Sequence, residues 1–195
     1  MLCQLSDLKT RLKIAEADVV DDAVLEAFIA GVSQRFDEEC NRKFALDEYA
    51  RFEFRGDEIN VLVDRFPIVG VTLFELKETE AEGFVEVTEP GDYLVNSTRS
   101  IIELASPLGT SRQLARVQFS GGYVLPGGTV GTGQTALPSD IEQAAIEQCA
   151  YFYQRKDQLG LVSVSGEGGS ISQFAALDLL PSVKAVLKGR TRWLP

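Results

Sequence analysis

The chain has 195 residues, of which 45% are hydrophobic and 25% charged, and its formal net charge is -10 at pH 7. This length and composition are typical of one globular domain with an ordinary core. No apolar run approaches the roughly 18 residues of a membrane-spanning helix, so we expect no membrane partner. The absence of histidine excludes Ser-His-Asp and Cys-His catalysis and metal sites built on imidazole.

The cysteines do not indicate a disulfide framework. Cys3, Cys40 and Cys149 are odd in number and far apart in the sequence. Cys40 and Cys149 fall on helical patterns, where a free thiol behaves as a small core residue. Residues 1–14 have neither the basic start nor the apolar stretch of a signal peptide. We therefore expect synthesis in a cytoplasm, with the protein kept there or carried inside a particle.

Two helices are predicted at the start of the chain. Leucines four residues apart indicate the first, at about 6–14, with Ser6 as its N-cap. The second, at 22–43, has apolar residues at helical spacing and a charged opposite face, and Asp21 or Asp22 can cap it. Its apolar residues are Leu25, Phe28, Ile29, Val32, Phe36 and Cys40.

From about residue 47 the hydrophobic period changes from helical to alternating. Short runs that alternate apolar and charged residues are separated by turns containing glycine, asparagine or aspartate. This pattern is typical of antiparallel strands joined by hairpins. It predicts a β-rich insertion at 47–120, with LARVQFSGGY as its last strand.

Residues 119–143, FSGGYVLPGGTVGTGQTALPSDIEQ, include a glycine-rich stretch that could be compared with a phosphate-binding loop. Such a loop closes with Lys-Ser or Lys-Thr, and no lysine lies between Lys77 and Lys156. A dinucleotide fingerprint opens a helix directly, whereas TALP intervenes here. We therefore interpret 121–137 as a flexible surface loop that binds no cofactor.

Two further helices follow this loop. The first, at 139–158, begins with Ser139 and Glu142 at the spacing of a capping box. It is apolar around most of its girth, so we expect it within the core or between subunits. A second flexible loop, 160–172, precedes a closing helix at 180–189. Together the elements predict an α+β fold, in which a small antiparallel helix bundle carries the antiparallel β-rich insertion within a single domain.

Carboxylates are the remaining candidates for catalysis or metal binding. Neighbouring acids such as Asp21–Asp22 and Glu38–Glu39 point in different directions on a helix, which suits a cap or a solvated face better than acid–base catalysis. The acid-rich strands between Glu75 and Asp92 lack the spacing of a calcium loop. We predict no catalytic residue, no cofactor and no metal site.

Charge is distributed unevenly along the chain. Acidic side chains outnumber basic ones two to one in residues 1–149, and the ratio is reversed in 150–195. An acidic body repels nucleic acid, and a basic segment suits an acidic partner. The basic C-terminal arm, 188–195, therefore either docks on an acidic neighbour or folds back to bury its tryptophan. Its candidate binding residues are Lys188, Arg190, Arg192 and Trp193.

Taken in order, these segments resemble the head–tail connector (adaptor) proteins of long-tailed bacteriophages and their prophages. The resemblance covers nearly the whole chain, although the β insertion is larger than in the minimal all-helical members. It rests on LSDLKTRLKI, DDAVLEAFIAGVSQRFDEECNRKF, FPIVGVTLFEL, ARVQFSGGY, LPSDIEQAAIEQCAYFYQRK and LLPSVKAVLKGRTRW.

The resemblance implies a structural virion protein and no enzyme. Family members form a ring, usually of twelve copies, under the portal, where they extend the DNA channel and provide a docking platform for the stopper or tail. The implied partners are further copies of the chain, the portal protein, a stopper or tail-terminator protein, and genomic DNA that passes without sequence-specific binding. The implied location is the virion neck, after synthesis in the host cytoplasm.

A ring subunit needs two complementary faces, and a carboxylate-lined lumen would let DNA slide. We expect Ile146, Ala150 and Tyr153 of the third helix to contribute to the subunit interface, and the C-terminal arm to bind the portal. Two alternatives remain open. The chain could be another phage joining protein, such as a stopper or tail-completion protein, or else a carboxylate-based enzyme or soluble binding module.

Overall fold

The computed structural model describes residues 1–97, 99–156 and 178–192, and the backbone of 163–165 and 171–173. The described residues divide into two units. The helical unit is drawn from Met1–Cys40 and Pro138–Thr191, and the β unit from Asn41–Leu137 together with Arg192. No helix among the described residues combines the length and the apolar character needed to cross a membrane.

The predicted α+β fold is confirmed, and the described residues form four helices and a β-rich portion. The helices are α1 (Leu5–Leu12), α2 (Asp22–Glu39), α3 (Ser139–Gln154) and α4 (Pro181–Lys188). The strands are β1 (Asp47–Arg55), β2 (Asn60–Leu62), β3 (Ile68–Lys77), β4 (Val85–Glu86), β5 (Tyr93–Asn96), β6 (Ile101–Leu104), β7 (Leu114–Gly121), β8 (Tyr123–Val124), β9 (Thr135–Ala136), β10 (Ser163–Ser165) and β11 (Ile171–Gln173).

All four helices end earlier than the hydrophobic pattern predicts, α4 by a single residue. Lys13, which follows α1, has φ 61°, and Asn41, just beyond α2, has φ 49°. A left-handed residue cannot continue a right-handed helix, so the apolar period overruns the true end. In α3 the last helical residue is Gln154, and 157–158 lie outside the described residues.

The predicted N-caps are wrong for α1 and α3. Gln4 and Pro138 occupy the N-cap positions, and neither helix has a side-chain cap. Pro138 enters α3 in an extended conformation, which places Ser139 in the first turn instead of before it. The carboxylate of Asp140 accepts a hydrogen bond from the Ile141 amide at 3.0 Å.

The core of the helical unit lies around α3, which packs against α1, α2 and α4. Gln148 of α3 is completely buried and joins it to the chain before α4. Its amide nitrogen donates to the Asp178 carbonyl at 3.3 Å, and its amide oxygen accepts from the Leu180 amide at 2.8 Å. The buried apolar residues of this unit include Leu8, Leu25, Ile29, Val32, Phe36, Ile141, Cys149, Val183 and Leu187.

The β unit contains a four-stranded antiparallel sheet, in the order β1-β7-β3-β4, and a three-stranded antiparallel sheet, in the order β2-β6-β5. One hydrophobic core takes residues from both sheets because their strands alternate apolar and polar residues. Its members are Ala50, Phe54, Val61, Val63, Ile68, Phe74, Ile102, Leu104, Ala115, Val117 and Phe119.

The sequence pattern predicted LARVQFSGGY as the last strand of the β insertion, but two short strands, β8 and β9, follow β7 in the β unit. Within 121–137, the short strands β8 and β9 pair in parallel, and Tyr123, Val124 and Leu137 are buried. Gly122 precedes β8 with φ 108°, and a Cβ there would lie 2.4 Å from the Ala45 carbonyl oxygen. The glycine therefore permits a close approach of two backbone segments. The predicted flexibility of this region stays a prediction, and most of the other loop, 160–172, lies outside the described residues.

Candidate functional site

The first candidate contact region is an exposed apolar patch on the helical unit, which we call the α1–α2 surface and define as Val19, Val20 and Val24. Val19 and Val20, between α1 and α2, are 68% and 86% exposed, and Val24 on α2 is 40% exposed. A cluster of exposed apolar side chains is a candidate for contact with another molecule.

Lys9 fixes the path of the connection that carries this surface. Its side chain is buried, and its ammonium group donates to the carbonyl oxygens of Glu16 at 3.2 Å and Asp18 at 2.8 Å. It also forms an ion pair with Asp22, with 2.5 Å between Nζ and Oδ1. A buried ammonium is tolerated only with such partners, so the connection is held at three points.

Asp21 links the same connection to the end of α3. Its carboxylate accepts hydrogen bonds from the Lys156 ammonium, at 2.8 Å, and from the Tyr153 hydroxyl. The Lys156 bond, followed by the Tyr153 bond, holds the pKa of Asp21 below its ordinary value, and the Asp21 charge raises the pKa of Lys156. Asp21, one of the two residues predicted to cap α2, does occupy its N-cap position, but its side chain makes no capping hydrogen bond and instead clamps the end of α3.

The second candidate contact region is the strand β5, at one edge of the three-stranded sheet. Tyr93, Leu94 and Val95 are 38%, 71% and 38% exposed, although all three are strand-forming apolar or aromatic residues. The ring of Tyr93 also packs edge-on against Phe74, with centroids 5.4 Å apart. Apolar residues on an unpaired edge are typical of a strand that another chain covers.

The backbone of β5 is arranged to accept a further strand. The Asp92 carbonyl accepts the Ala105 amide at 2.9 Å, so Asp92 is bonded to the strand beside it. Hydrogen bonds alternate along an antiparallel pair, which turns the amides and carbonyls of Tyr93 and Val95 away from β6. We call this set of outward groups, with the exposed side chains of Tyr93, Leu94 and Val95, the β5 edge.

An acidic segment precedes the β5 edge in the same unit. All of its carboxylate side chains are exposed, and the sequence from 78 to 98 contains no lysine or arginine. Lys77, just before it, pairs with Glu80 at 2.7 Å. The segment therefore presents a strongly negative surface. Its acids are Glu78, Glu80, Glu82, Glu86, Glu89 and Asp92.

The predicted portal-binding residues occupy different surroundings. Lys188 is exposed at the end of α4. Arg190 forms an ion pair with Asp140, with 3.0 Å between NH2 and Oδ2. Arg192 belongs to the β unit, where it donates to the Leu62 carbonyl and lies over the Phe52 ring, and burial lowers its pKa. Trp193 lies outside the described residues.

The predicted interface residues of α3 differ in exposure. Ile146 and Ala150 are 8% and 6% exposed, so the helical unit itself covers most of their surface. Tyr153 is half-buried and engaged with Asp21. Near Ala150 lies a surface cavity of about 430 Å³. Its lining is mostly polar and consists of Arg11, Glu147, Ala150, Tyr151, Gln154 and Leu180.

The described part of the chain contains no group of three or more side chains that could hold a metal ion. The neighbouring acids Asp21 and Asp22 have separate partners, Lys156 and Lys9. Their carboxylates are therefore engaged in structural ion pairs.

No protein-family model and no curated protein matches the chain. Among solved structures, a chain from the neck of an empty gene transfer agent (GTA) particle, computed with C6 symmetry, matches with 14% identity and a TM-score of 0.63. A chain from the virion of a native GTA particle matches with 16% identity and a TM-score of 0.58. A chain from the neck of a native GTA particle, computed with C12 symmetry, matches with 16% identity and a TM-score of 0.53.

Each of these matches covers 100% of this chain and 91% of the other chain. At identities this low, the likeness shows a shared fold. It extends through both units, so the combination of helices and β-rich portion is common to all of these chains.

Sequence reasoning pointed to helix 139–158 and the strands of 47–120 as contact faces, but it identified the residues of neither candidate surface. Val19 and Val20 stand in DVVDD, where two β-branched residues between acids fit neither helix of the prediction. That mismatch was the available signal for an exposed apolar connection. The β5 edge had no comparable signal, because DYLVN reads equally well as an inner or an outer strand.

Proposed function

We propose that this protein is a structural component of the neck that joins capsid and tail in a phage-like particle, and that it serves there as the head–tail connector, or adaptor. The observation that carries the proposal is the match over the full chain to chains of GTA necks. The resemblance of the sequence to connector proteins supports the same role.

In this role the chain forms a ring with further copies of itself. The related necks were computed with C6 and C12 symmetry, and a cyclic assembly repeats one head-to-tail contact around its axis. The α1–α2 surface and the β5 edge are the two surfaces that we assign to contacts with neighbouring copies. Ile146, Ala150 and Tyr153 stay a predicted interface set, of which Tyr153 is the most exposed.

The ring extends the DNA channel beneath the portal and provides a platform for the stopper or tail. Carboxylates repel DNA phosphates, so a lumen lined with them allows DNA to pass without binding. The acidic segment 78–92 is the strongest candidate for this lining. In this proposal DNA passes through the ring as cargo, and all other partners of the ring are proteins.

The basic C-terminal arm binds the portal in this proposal. Arg190 and Arg192 already have partners within the chain, so portal binding through either would require exchange of those partners. Lys188 is exposed, and we therefore expect it and Trp193 to contribute most of the contact.

Ring formation is tested by negative-stain microscopy of the purified protein with its portal. We expect a ring attached directly to the portal, whereas a ring found only on the tail side would favour a stopper or tail-completion protein. Val20→Asp and Leu94→Asp should lower ring occupancy at least tenfold without changing the melting temperature. Val130→Asp, at a residue 47% exposed outside both surfaces, is the matched control. Unchanged rings in both variants would refute the assigned contacts.

Portal binding is tested with a Lys188→Ala/Trp193→Ala double variant. Point substitutions are preferable to deletion of 188–195, because deletion also removes the internal contacts of Arg190 and Arg192. We expect fewer portal-bound copies per purified particle and unchanged rings of the isolated protein. Lys184→Ala, on the same helix, should retain portal binding. Normal occupancy in the double variant would exclude these two residues as the portal contact.

A further inference from the structure

The strand β1 is a second edge strand of the β unit. It begins the order β1-β7-β3-β4, so within the described residues it pairs on one side only, with β7. Directly beyond their last register pair, the Gly56 amide donates to the Gln113 carbonyl at 2.9 Å. Since hydrogen bonds alternate along an antiparallel pair, the amides and carbonyls of Arg51, Glu53 and Arg55 point away from β7. We call these three residues the β1 edge.

The side chains of the β1 edge are exposed and alternate in charge. Arg55 pairs with Asp57 at 3.2 Å, but both side chains are exposed, and such a surface pair contributes little and exchanges readily. The opposite face of β1 carries Phe52, which is half-buried against the β core. Charged side chains discourage indiscriminate pairing at an edge strand. A strand that pairs here therefore needs complementary charge.

The β1 edge and the β5 edge lie on opposite sides of the β unit. Tyr93 of β5 packs against Phe74 of β3. Arg192 joins β2 to β1, because it donates to the Leu62 carbonyl and lies over the Phe52 ring. The three-stranded sheet therefore has β5 beside β3 and β2 beside β1, and β3 is two strand spacings, or about 10 Å, from β1. Two different surfaces on opposite sides are what a head-to-tail contact requires.

We propose that the β5 edge of one copy pairs with the β1 edge of the next copy as an antiparallel strand. A continuous sheet then crosses each subunit contact of the ring. This inference rests on the proposed neck ring, and it names the surface that covers the β5 edge. Both edges present outward amides and carbonyls at every second residue, so the two copies can satisfy each other's hydrogen bonds.

The pairing also accounts for the exposure of Leu94. Residues that lie opposite each other in an antiparallel pair have their side chains on the same face of the sheet. Tyr93 and Val95 would therefore share a face with the β1 edge, and Leu94 would share the other face with Phe52 of the next copy. Leu94, which is 71% exposed in the single chain, thereby gains an apolar neighbour.

Charge favours the antiparallel direction. Asp92 and Glu89 are exposed acids just before β5, and the exposed Arg99 follows it. Antiparallel pairing brings the two acids towards Arg55 at the end of β1, and it brings Arg99 towards the exposed Glu48 at the start of β1. Parallel pairing would instead place like charges together at both ends. Like charges across a strand pair are destabilising.

Cross-linking tests the contact directly. Full-length Glu53→Cys and Val95→Cys proteins are mixed, assembled with the portal and treated with a short bismaleimide. We expect a covalent dimer that joins one copy of each variant, identified by peptide mapping. Val130→Cys in place of Glu53→Cys is the matched control and should give no dimer, because Val130 is exposed outside both edges. The native cysteines are all buried and should not react: Cys3, Cys40 and Cys149.

A chain that carries both Glu53→Cys and Val95→Cys tests whether the contact is head-to-tail. Each copy would then link to two neighbours, so we expect a ladder of covalent multimers that extends to the size of the ring. A symmetric contact between two β5 edges would instead link two Val95→Cys copies and stop at dimers. That result would overturn the proposal.

Charge reversal tests the same contact without cysteines. Arg51→Glu/Arg55→Glu and Glu89→Lys/Asp92→Lys should each lower ring occupancy roughly tenfold. The variant that combines all four substitutions has the net charge of the wild type and again places opposite charges across the contact, so its rings should return. All of these side chains are exposed, and the melting temperature should not change. Rings that do not return in a folded combined variant would contradict the pairing.

Failure of this inference is distinguishable from failure of the neck role. Rings that form on the portal but contain no link between Glu53→Cys and Val95→Cys would overturn the strand pairing and leave the neck role unaffected. A wild-type chain that stays a single copy in the presence of its portal would contradict the neck role, and the strand pairing with it.

Discussion

Arg116 on β7 and Glu75 on β3 form a two-pronged ion pair across the four-stranded sheet. The Arg116 Nε lies 2.7 Å from Oε2 of Glu75, and its NH2 lies 2.9 Å from Oε1. The guanidinium also lies over the Phe84 ring, with 3.9 Å from Cζ to the ring centroid. Because β3 and β7 are central strands, this pair ties the sheet together beside the acidic segment.

Glu75→Gln should lower the free energy of unfolding by about 1–3 kcal/mol at pH 7. The Arg116 hydrogen bonds hold the pKa of Glu75 below its ordinary value of 4.5. The stabilisation that ionised Glu75 provides is therefore complete above pH 4.5, and it is lost as the pH falls through the lower pKa that Glu75 has in the folded state. Urea denaturation of wild type and variant at a series of pH values measures it. Glu78→Gln, at an exposed residue, is the control. If the difference in free energy of unfolding between wild type and Glu75→Gln does not become smaller in acid, the Glu75–Arg116 pair is not its source.

Gly122→Ala should destabilise the β unit by about 2–4 kcal/mol. The added Cβ would meet the Ala45 carbonyl oxygen at 2.4 Å, at a residue with φ 108°. Gly31→Ala is the matched control, because Gly31 lies on α2 with nothing within 4 Å of the added Cβ. It should stabilise the protein by about 0.5–1 kcal/mol, since alanine is the better helix former. Effects of the same sign in thermal denaturation would contradict this interpretation.

Lys9→Met should lower the free energy of unfolding by about 3 kcal/mol. Methionine fills a similar volume, but it leaves the Asp22 carboxylate and the carbonyls of Glu16 and Asp18 without the ammonium group. Arg11→Met removes the same charge from an exposed position of the same helix and should change stability by less than about 0.5 kcal/mol. Equal stability of the two variants in guanidinium denaturation would show that Lys9 does not anchor the connection.

The pKa of Asp21 should depend on both groups that donate hydrogen bonds to it, the Lys156 ammonium and the Tyr153 hydroxyl. Lys156→Met is expected to raise the pKa of Asp21 most, and Tyr153→Phe to raise it less, because the Lys156 bond is the larger cause of the depression. Carbon-detected NMR of the carboxylate measures both values. Thr10→Val is the control, because Thr10 lies in the same unit but its described contacts do not include Asp21. This variant should leave the pKa of Asp21 unchanged. An unshifted Asp21 in Lys156→Met would show that the clamp does not form in solution.

The order and type of most elements could be predicted because they depend on local periodicity. Leu25, Ile29, Val32 and Phe36 repeat at helical spacing and are all buried on one side of α2. The alternation in YARFEFRG places Ala50 and Phe54 in the β core. The helix ends were predicted less well, although Asn41, which leaves the helical conformation, directly follows the last apolar residue of the period and asparagine is a recognised stop signal at that position.

The candidate contact surfaces were less accessible to sequence reasoning. Ile146 and Ala150 belong to an apolar helix, and only the packing of α1, α2 and α4 around α3 determines that the helical unit itself covers them. Conversely, Val20 and Leu94 have the composition of core residues but remain in water. An apolar side chain favours burial, but the chain alone does not indicate whether its own residues or another molecule will cover it.

By itself, the sequence determined the α+β fold class, the excess of acidic side chains and the absence of histidine chemistry, since each follows from residue type and spacing. Tertiary structure alone decided that Asp21 meets Lys156 and that Arg116 meets Glu75. These pairs are distant along the chain, so local periodicity carries no information about them. Their contacts arise only when the packing of whole helices and strands brings the two residues together.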